Sequence, residues 1–446
     1  MKGEQSFAKK LTALVMPIAF QQFMLALVSA SDAFMLGALS QDYLSAVSLG
    51  SQMMFVQNLF LAAMTIGLSV LAAQYWGKRD TEAVERIFAY VLKSTAAVSF
   101  LFALSALCVP DVLMRIFTSE AGLIEYGAVY LRAVSPAFLL SGISQVYLCI
   151  FKNSERAVKS SIISSAGVIV NILLNAVFIY GLFHLPRLEI AGAAMATVIA
   201  KAVELLWCLR EAAGNSPVKL RAAHLRKTEE TLRKDFWMYT TPVLGNEIVW
   251  GLGFTMYSVI MGHLGSDAVA ANSIANIVKN IVSCFAIGLG SGGSILVGNE
   301  LGAGNLAAAK AYGDKLCIFS VLCGALSGLV LLCVNPLLLS AVNLSAQSAL
   351  YLKWMIAMCS YYMIGKSANC TIVAGIFCAG GDSRFGLVCD VITLWCVTIP
   401  LGAAAAFVWK LPVLAVYFIV NLDEIIKLPA VYRHYKQYRW VKNLTR

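Results

Sequence analysis

Twelve long apolar stretches follow one another along the chain, at 11–37, 44–73, 87–109, 123–150, 160–182, 190–209, 236–262, 268–298, 311–334, 349–377, 385–409 and 412–432. A helix needs about 20 apolar residues to cross the hydrocarbon core of a bilayer, and each stretch reaches that length. Barrel strands are about half as long and alternate polar with apolar residues, which these runs do not. Composition closes off a soluble alternative: 59% of the 446 residues are hydrophobic and 13% charged, against about a quarter charged in soluble domains. No water-soluble fold of this length hides that much apolar surface. The expected architecture is an all-α membrane protein of twelve transmembrane helices, with the lipid bilayer as its surroundings.

The first stretch, from Leu11, lacks a small-residue cleavage site and is followed by eleven others, so it reads as a spanning helix rather than a removable signal. The net charge of +10 lies in short breaks between apolar runs and forms no continuous basic face, so nucleic acid is not an expected partner. The twelve cysteines stand singly, with no C-x-x-C and no Cys/His cluster, so no structural metal is expected. They read as small packing residues. No phosphate-cradling loop, nucleophilic triad or zincin helix is present. The chain is not expected to be an enzyme or to carry a cofactor, and no segment between the spans is long enough for a nucleotide-binding domain.

Basic residues orient the helices. Of the 34 Lys and Arg, Arg115, Arg187 and Lys410 fall in breaks opposite the N-terminus. Six more, Lys93, Arg132, Lys201, Lys279, Lys353 and Lys366, fall inside spans, and the other 25, with Lys427 near the end of the last stretch counted among them, share the N-terminal side. The positive-inside rule then puts both termini in the cytoplasm, as expected for a multi-pass protein of a bacterial inner (plasma) membrane. The longest hydrophilic break, 210–235, carries seven of these bases and the helix-compatible run 220–234, expected as an amphipathic helix lying on the surface. It reads as a cytoplasmic linker between an N-terminal six-helix lobe, 1–209, and a C-terminal one, 236–446.

The two halves align without gaps at one offset. Pro17 falls on Pro242, Gly37 on Gly262, Asp42 on Asp267, Ala46 on Ala271, Ser69 on Ser294 and Gly77 on Gly302. Special backbone residues held in register over some sixty positions (at this offset) indicate duplication. Six helices per repeat is an even number, so the repeats keep one orientation and are related by a pseudo-twofold axis along the membrane normal, with a substrate site between them. That is a transporter's architecture.

Within these paired segments lie Ser31-Asp32-Ala33-Phe34-Met35-Leu36-Gly37, Ala73-Gln74-Tyr75-Trp76-Gly77-Lys78-Arg79-Asp80, Val297-Gly298-Asn299-Glu300-Leu301-Gly302-Ala303-Gly304-Asn305, and Asn171 and Asn175 followed by Gly192-Ala193-Ala194-Met195-Ala196-Thr197. Together they resemble the multidrug and toxic compound extrusion (MATE) transporters over essentially the whole chain. The resemblance implies two lobes alternately open to each side of the membrane. It also implies export of small organic, often cationic and amphipathic, compounds in exchange for Na+ or H+. A monomer is expected.

Ionisable residues inside spans are functional candidates because lipid burial is costly. Asp32 lies about a turn and a half before Gly37, where it is also placed to reach outer water. Asn171 and Asn175, four apart, share a helix face and are equally suited to interhelical hydrogen bonding. The resemblance makes Asp32, Asn171, Asn175 and Thr197 the positions of a cation-coupling site, with Na+ at Asp32 the only metal expected. Many members carry a second acid where this chain has Asn175, which leaves the choice between Na+ and H+ open.

In the second half, Asn272, Asn276 and Asn280 recur at helical spacing with Lys279 beside them, and Glu247 follows Pro242 by five residues. A polar stripe of this kind faces protein or water, not lipid. With Gln21 and Asn246 these residues form a candidate substrate cavity, in which Glu247 and Lys279 are either a structural ion pair or substrate contacts. Lys366 stands where some relatives have an acid. Pro17 and Pro242 remove a helix hydrogen bond each, as static kinks or as paired hinges. The rival reading is a flippase for a lipid-linked precursor, which needs a more basic cavity. The topology has a direct test. In a protein freed of native cysteines, a cysteine at Ser216 should react with a membrane-impermeant reagent from the cytoplasmic face only, and labelling in intact cells would reverse the orientation.

Overall fold

The computed structural model describes the backbone of residues 2–37, 41–182, 187–214, 216–226, 229–341 and 344–445, and the side chains of most of them. Twelve helical segments account for the expected spans: α1 (Lys2–Gly37), α2 (Gln41–Gly77), α3 (Thr81–Cys108), α4 (Ala121–Asn153), α5 (Ala157–Tyr180), α6 (Glu189–Ala213), α7 (Glu230–Gly262), α8 (Ser266–Gly302) and α9 (Leu306–Ala341), then three composite ones. α10 runs from Ala346 to Asn369 and continues as a π-helix over Cys370–Phe377. α11 begins at Ser383–Asp390, turns π-helical over Val391–Thr398 and ends near Val408. α12 is broken into Val413–Val420, Asp423–Ile426 and Leu428–Tyr435. Ten of the twelve meet simple criteria of length and hydropathy for crossing a membrane among the described residues. The other two, α10 and α12, are among those that combine an irregular backbone with charged residues.

The helices pack into two compact units. The N-terminal unit holds residues 23–72 and 80–236, and the C-terminal unit holds 1–22, 73–79 and 237–446. By packing, therefore, the first part of α1 and the last turns of α2 belong with the second half of the chain.

In the N-terminal unit α4 is the central helix. Leu131, Val134, Ala137 and Phe138 on it are fully buried against Ala106 of α3, Ile179 of α5 and Ala194 of α6. The linker is fastened to this unit. Glu85 accepts the Lys219 backbone N–H at 3.0 Å and pairs with Arg221 at 2.8 Å, and Phe236 is buried, its ring 5.7 Å from that of Tyr90. The run 220–234 is not one surface helix: a short turn of helix, Ala222–Arg226, is followed by the start of α7 at Glu230. Ser216 is buried with its hydroxyl donating to the Val218 carbonyl at 2.9 Å. Exposed Lys219 is the better position for a labelling cysteine.

In the C-terminal unit α8 is central, lined with glycines where α1 crosses it. A methyl group on Gly288 would sit 2.8 Å from the Ala19 methyl, and one on Gly292 2.9 Å from a Val15 methyl. At the inner ends of α2 and α8 the duplication becomes visible as geometry. A side chain on Gly77 would overlap the backbone of Asn299, and one on Gly302 would overlap the backbone of Gln74. Gly77 and Gly302 are repeat equivalents, and so are Gln74 and Asn299. Each glycine packs on the other's neighbour, the self-complementary contact that a local twofold produces. The helices that follow also begin alike. Asp80 caps α3, accepting the Ala83 N–H at 3.0 Å, and its equivalent Asn305 immediately precedes α9.

Because backbone, not a flexible side chain, fills the space at both glycines, Gly77→Ala and Gly302→Ala should each destabilise by about 1–3 kcal/mol or more. Thermal unfolding in detergent measures this; two neutral substitutions would show that the crossing is loose.

Candidate functional site

The N-terminal unit gathers three of the expected coupling residues. Asn171 and Asn175 stand one turn apart on α5, both buried, facing Thr197 of α6. The Asn175 amide donates to Asn171 Oδ1 at 3.2 Å, the Asn171 amide donates to Thr197 Oγ1 at 3.3 Å, and the Thr197 hydroxyl donates to the Ala193 carbonyl at 3.0 Å. This is a single directed chain of hydrogen bonds across two helices. The Tyr180 hydroxyl, further along α5, donates to the Met35 carbonyl of α1 at 3.3 Å, which ties the end of α1 to the same side of the unit. Asp32 lies in helical backbone one turn before Met35; its side chain falls outside the described residues. Glu204, a buried carboxylate of this unit, is structural: it takes the Ser144 hydroxyl at 2.6 Å and pairs with Lys201 at 3.1 Å.

The C-terminal unit places the expected cavity residues differently from a simple ion pair. Glu247 and Lys279 form no ion pair with each other or with any other described residue. The Lys279 ammonium stands 4.9 Å over the Tyr362 ring. Gln21 is buried, and both its Oε1 and the Oδ1 of Asn246 lack a protein hydrogen-bond partner among the described residues. Asn272 and Asn276 are half-buried and Asn280 exposed. Pro17 and Pro242 both lie inside continuous helices, so neither ends its helix. The boundary between units in α1 follows Pro17 by about a turn and a half.

The C-terminal unit also holds a set of charges that hydropathy and spacing did not reveal. Lys366 of α10 pairs with Glu424 of α12 at 3.4 Å; Lys427 pairs with Glu424 at 3.0 Å and with Asp390 of α11 at 2.9 Å. Asn369 donates to the Glu424 carboxylate at 2.8 Å and to its carbonyl at 2.7 Å. Lys366 also stands 5.2 Å from the Trp250 ring centre. All these residues except Lys366 and Trp250 are buried. Lys427, counted above with the cytoplasmic bases, is instead inside the protein.

The backbone explains how they meet. α10 turns π-helical directly after Asn369, α11 directly after Asp390, and α12 breaks at Asn421 and Leu422, just before Asp423. Gly365 lets the broken segment approach, since a methyl there would meet the Glu424 carbonyl at 2.8 Å. Three helices lose regular geometry at the level where they carry charge. Such irregular backbone is tolerated within a membrane only where protein or a wet cavity covers it, and π-bulges gather at functional sites. The sequence held one clue: Asp390, Asp423, Glu424 and Lys427 all fall within the last two apolar stretches.

A duplicated bundle of apolar helices with buried polar clusters is the construction that secondary transporters use. The MatE family model matches the chain twice, over residues 17–177 and 242–404. The second match begins at Pro242, the repeat equivalent of Pro17 at which the first begins. The chain belongs to the MatE family. Relatives include an uncharacterized transporter, YisQ, of Bacillus subtilis, 22% identical with 97% of this chain and 95% of the relative covered. Another is a probable multidrug resistance protein NorM of Burkholderia mallei, 28% identical with 88% of this chain and 85% of the relative covered. Among solved structures, an outward-facing multidrug resistance MATE transporter of the MOP superfamily superposes with a TM-score of 0.89 at 15% identity, covering 97% of this chain and 95% of its own. The fold is the twelve-helix, two-lobe fold of MATE transporters.

Lys427 neutralises two buried carboxylates at once. Lys427→Met should therefore cost about 3–5 kcal/mol, the range for stranding a buried charge, read as a lower unfolding temperature in detergent. An unchanged unfolding temperature would mean that Asp390 and Glu424 find other partners.

Proposed function

We propose that this chain is a secondary active antiporter that exports small organic compounds across a bacterial inner membrane in exchange for Na+ or H+. The observation that carries the reading is the hydrogen-bonded chain Asn175–Asn171–Thr197, in the unit to which this stretch of α1, with Asp32, also belongs. Amide and hydroxyl oxygens suit a hard monovalent cation, and Asp32 supplies the one negative charge to balance it. The relatives' printed descriptions as multidrug resistance proteins favour organic solutes as cargo. We take the protein to work as a monomer with both termini in the cytoplasm.

The energetics are sufficient. One cation entering across 100 mV releases about 2.3 kcal/mol, enough to sustain roughly a fiftyfold gradient of a net-neutral solute. For a singly cationic solute the exchange is electroneutral, and only the ion's concentration gradient does the work. Cation binding and substrate binding must favour opposite orientations, since a ligand shifts an equilibrium only by its difference in affinity between two states. The paired prolines in α1 and α7 offer bends at which orientation changes. Glu247, without a basic partner in ion-pair contact among the described residues, would meet the cationic end of a substrate. A flippase for a pyrophosphate-linked lipid is the weaker reading, because Lys366 and Lys427 are already engaged by Glu424 and Asp390.

An Asp32→Asn protein that is well expressed should retain substrate binding and lose gradient-driven efflux of fluorescent dyes from vesicles, because an amide neither binds a proton nor balances Na+. Vesicles with imposed Na+ or H+ gradients also distinguish the two ions. Full efflux by Asp32→Asn would overturn the assignment.

A further inference from the structure

The start of α1 is packed tightly on one side and loosely on the other. Glycines of α8 draw it in, so that a methyl group on Gly292 would lie 2.9 Å from a Val15 methyl. Towards α9 it is anchored by Phe7, whose ring centre lies 4.6 Å from that of Tyr312 and 6.3 Å from that of Phe319. Beyond Phe7 the three helices leave a groove of about 400 Å³. Val15 and Met16 of α1, Phe285 of α8, and Phe319, Leu322 and Leu326 of α9 line it. All of these but Val15 are exposed, and all lie in helices apolar enough to cross a membrane. What meets them is hydrocarbon, not water.

The polarity of the groove changes in one direction. Lys315 stands at its inner end, one turn before Phe319 on the same face of α9, with its ammonium 5.3 Å from the Phe7 ring centre. On α1 the exposed Lys9 follows the groove residue Ala8. The neighbouring Asp314 is turned to the C-terminal tail, where it accepts the hydroxyls of Tyr435 at 2.9 Å and Tyr438 at 3.3 Å. One turn deeper than Ala8, Thr12 adds a hydroxyl, and from there to Met16 and Leu326 the lining is apolar but for the Cys323 thiol. Charge, then hydroxyl, then hydrocarbon follow one another over about 12 Å from Ala8 to Met16. A phospholipid presents its phosphate, ester and acyl chain in the same order. The positive-inside rule sets Lys9 and Lys315 at the cytoplasmic surface, where basic pockets between spanning helices take anionic headgroups. A zwitterionic lipid cancels its phosphate with its own ammonium and gains less from the two lysines.

We propose that this groove binds one anionic phospholipid of the inner leaflet, with an acyl chain against Met16, Phe285 and Leu322 and the phosphate at Lys9 and Lys315. The bound lipid joins the first turns of α1 to α9 on the near side of Pro17, whatever compound the transporter carries.

The test is native mass spectrometry of the purified full-length protein, titrated with phosphatidylglycerol and with phosphatidylcholine of the same chains. One phosphatidylglycerol should bind more than tenfold more tightly than phosphatidylcholine, since each lysine near the surface contributes about fivefold. Lys9→Gln and Lys315→Gln should each reduce the preference about fivefold, and Lys315→Arg should keep it. Leu322→Trp fills the groove from an exposed position and should remove the bound lipid. Ile318→Trp, exposed on the same helix outside the groove, should retain it. Size-exclusion profiles verify that the variants fold. Equal affinity for the two lipids, a preference that either Lys→Gln variant leaves unchanged, or a lipid retained by Leu322→Trp would each overturn the proposal. So would glycerol phosphate binding equally well without its chains, or a dimer of the chain that Leu322→Trp dissolves.

Discussion

Hydrocarbon offers neither hydrogen bonds nor counter-ions, so each polar group carried into the bilayer must be satisfied by the protein or by water and solutes in a cavity. The placement of nearly every polar side chain in the spans follows from this. Gln57 is satisfied internally, donating to the Phe138 carbonyl at 2.7 Å and to Ser99 at 3.1 Å. Glu204 and Glu424 are satisfied by lysines one turn away or on a neighbouring helix. Against that background, the side chains left without protein partners become informative. Among the described residues Lys279 and Glu247 form no ion pair, and the side chains of Asn272, Asn276 and Asn280 make no hydrogen bond, the pattern of groups that face a wetted surface and not lipid.

The duplication kept a frame and let the chemistry diverge. The reciprocal packing of Gly77 on Asn299 and Gly302 on Gln74 requires small residues in both repeats, because either side chain would displace the partner's backbone. No such constraint acts on the lining of each unit. The N-terminal unit assembled neutral oxygens and amides on regular helices, whereas the C-terminal unit assembled an ion network on helices that turn π-helical or break. A regular helix holds side chains at a fixed rise and rotation. The irregular turns of α10, α11 and α12 allow Lys366, Asp390, Glu424 and Lys427 to converge where ideal geometry would hold them apart.

What the sequence revealed depended on periodicity and length. The spans, the repeat and the face shared by Asn171 and Asn175 are patterns along a line, and the structure adds to them Thr197 at hydrogen-bond distance. The ion network is a pattern only in space: Lys366 and Glu424 are fifty-eight residues apart. It was further hidden because Lys427 lies near the end of an apolar run, where a basic residue ordinarily means cytoplasm. The linker run 220–234 misled for a different reason. Its helix-compatible composition says nothing of Glu85, which takes the Lys219 N–H and Arg221 and fastens the chain just before the short helix.

The last residues of the chain show how an inherited symmetry is broken at small cost. Gln74 and Asn299 are equivalent in the repeat and meet at the same crossing, yet their amides have different fates. The Gln74 amide donates to the carbonyls of Ala379, at 2.7 Å, and Lys442, at 3.3 Å, and its oxygen accepts the Leu444 N–H at 2.7 Å. The Oδ1 of Asn299 has no such partner among the described residues. The difference is the C-terminal tail, which only one repeat possesses. Tyr435 donates to Asp314 at 2.9 Å, Lys310 stands 3.8 Å over Tyr438, and Trp440 is fully buried against Gly313. A tail anchored by three aromatic rings brings its backbone to Gln74, whose side chain becomes the fastening point between the end of α2 and residues 442–444.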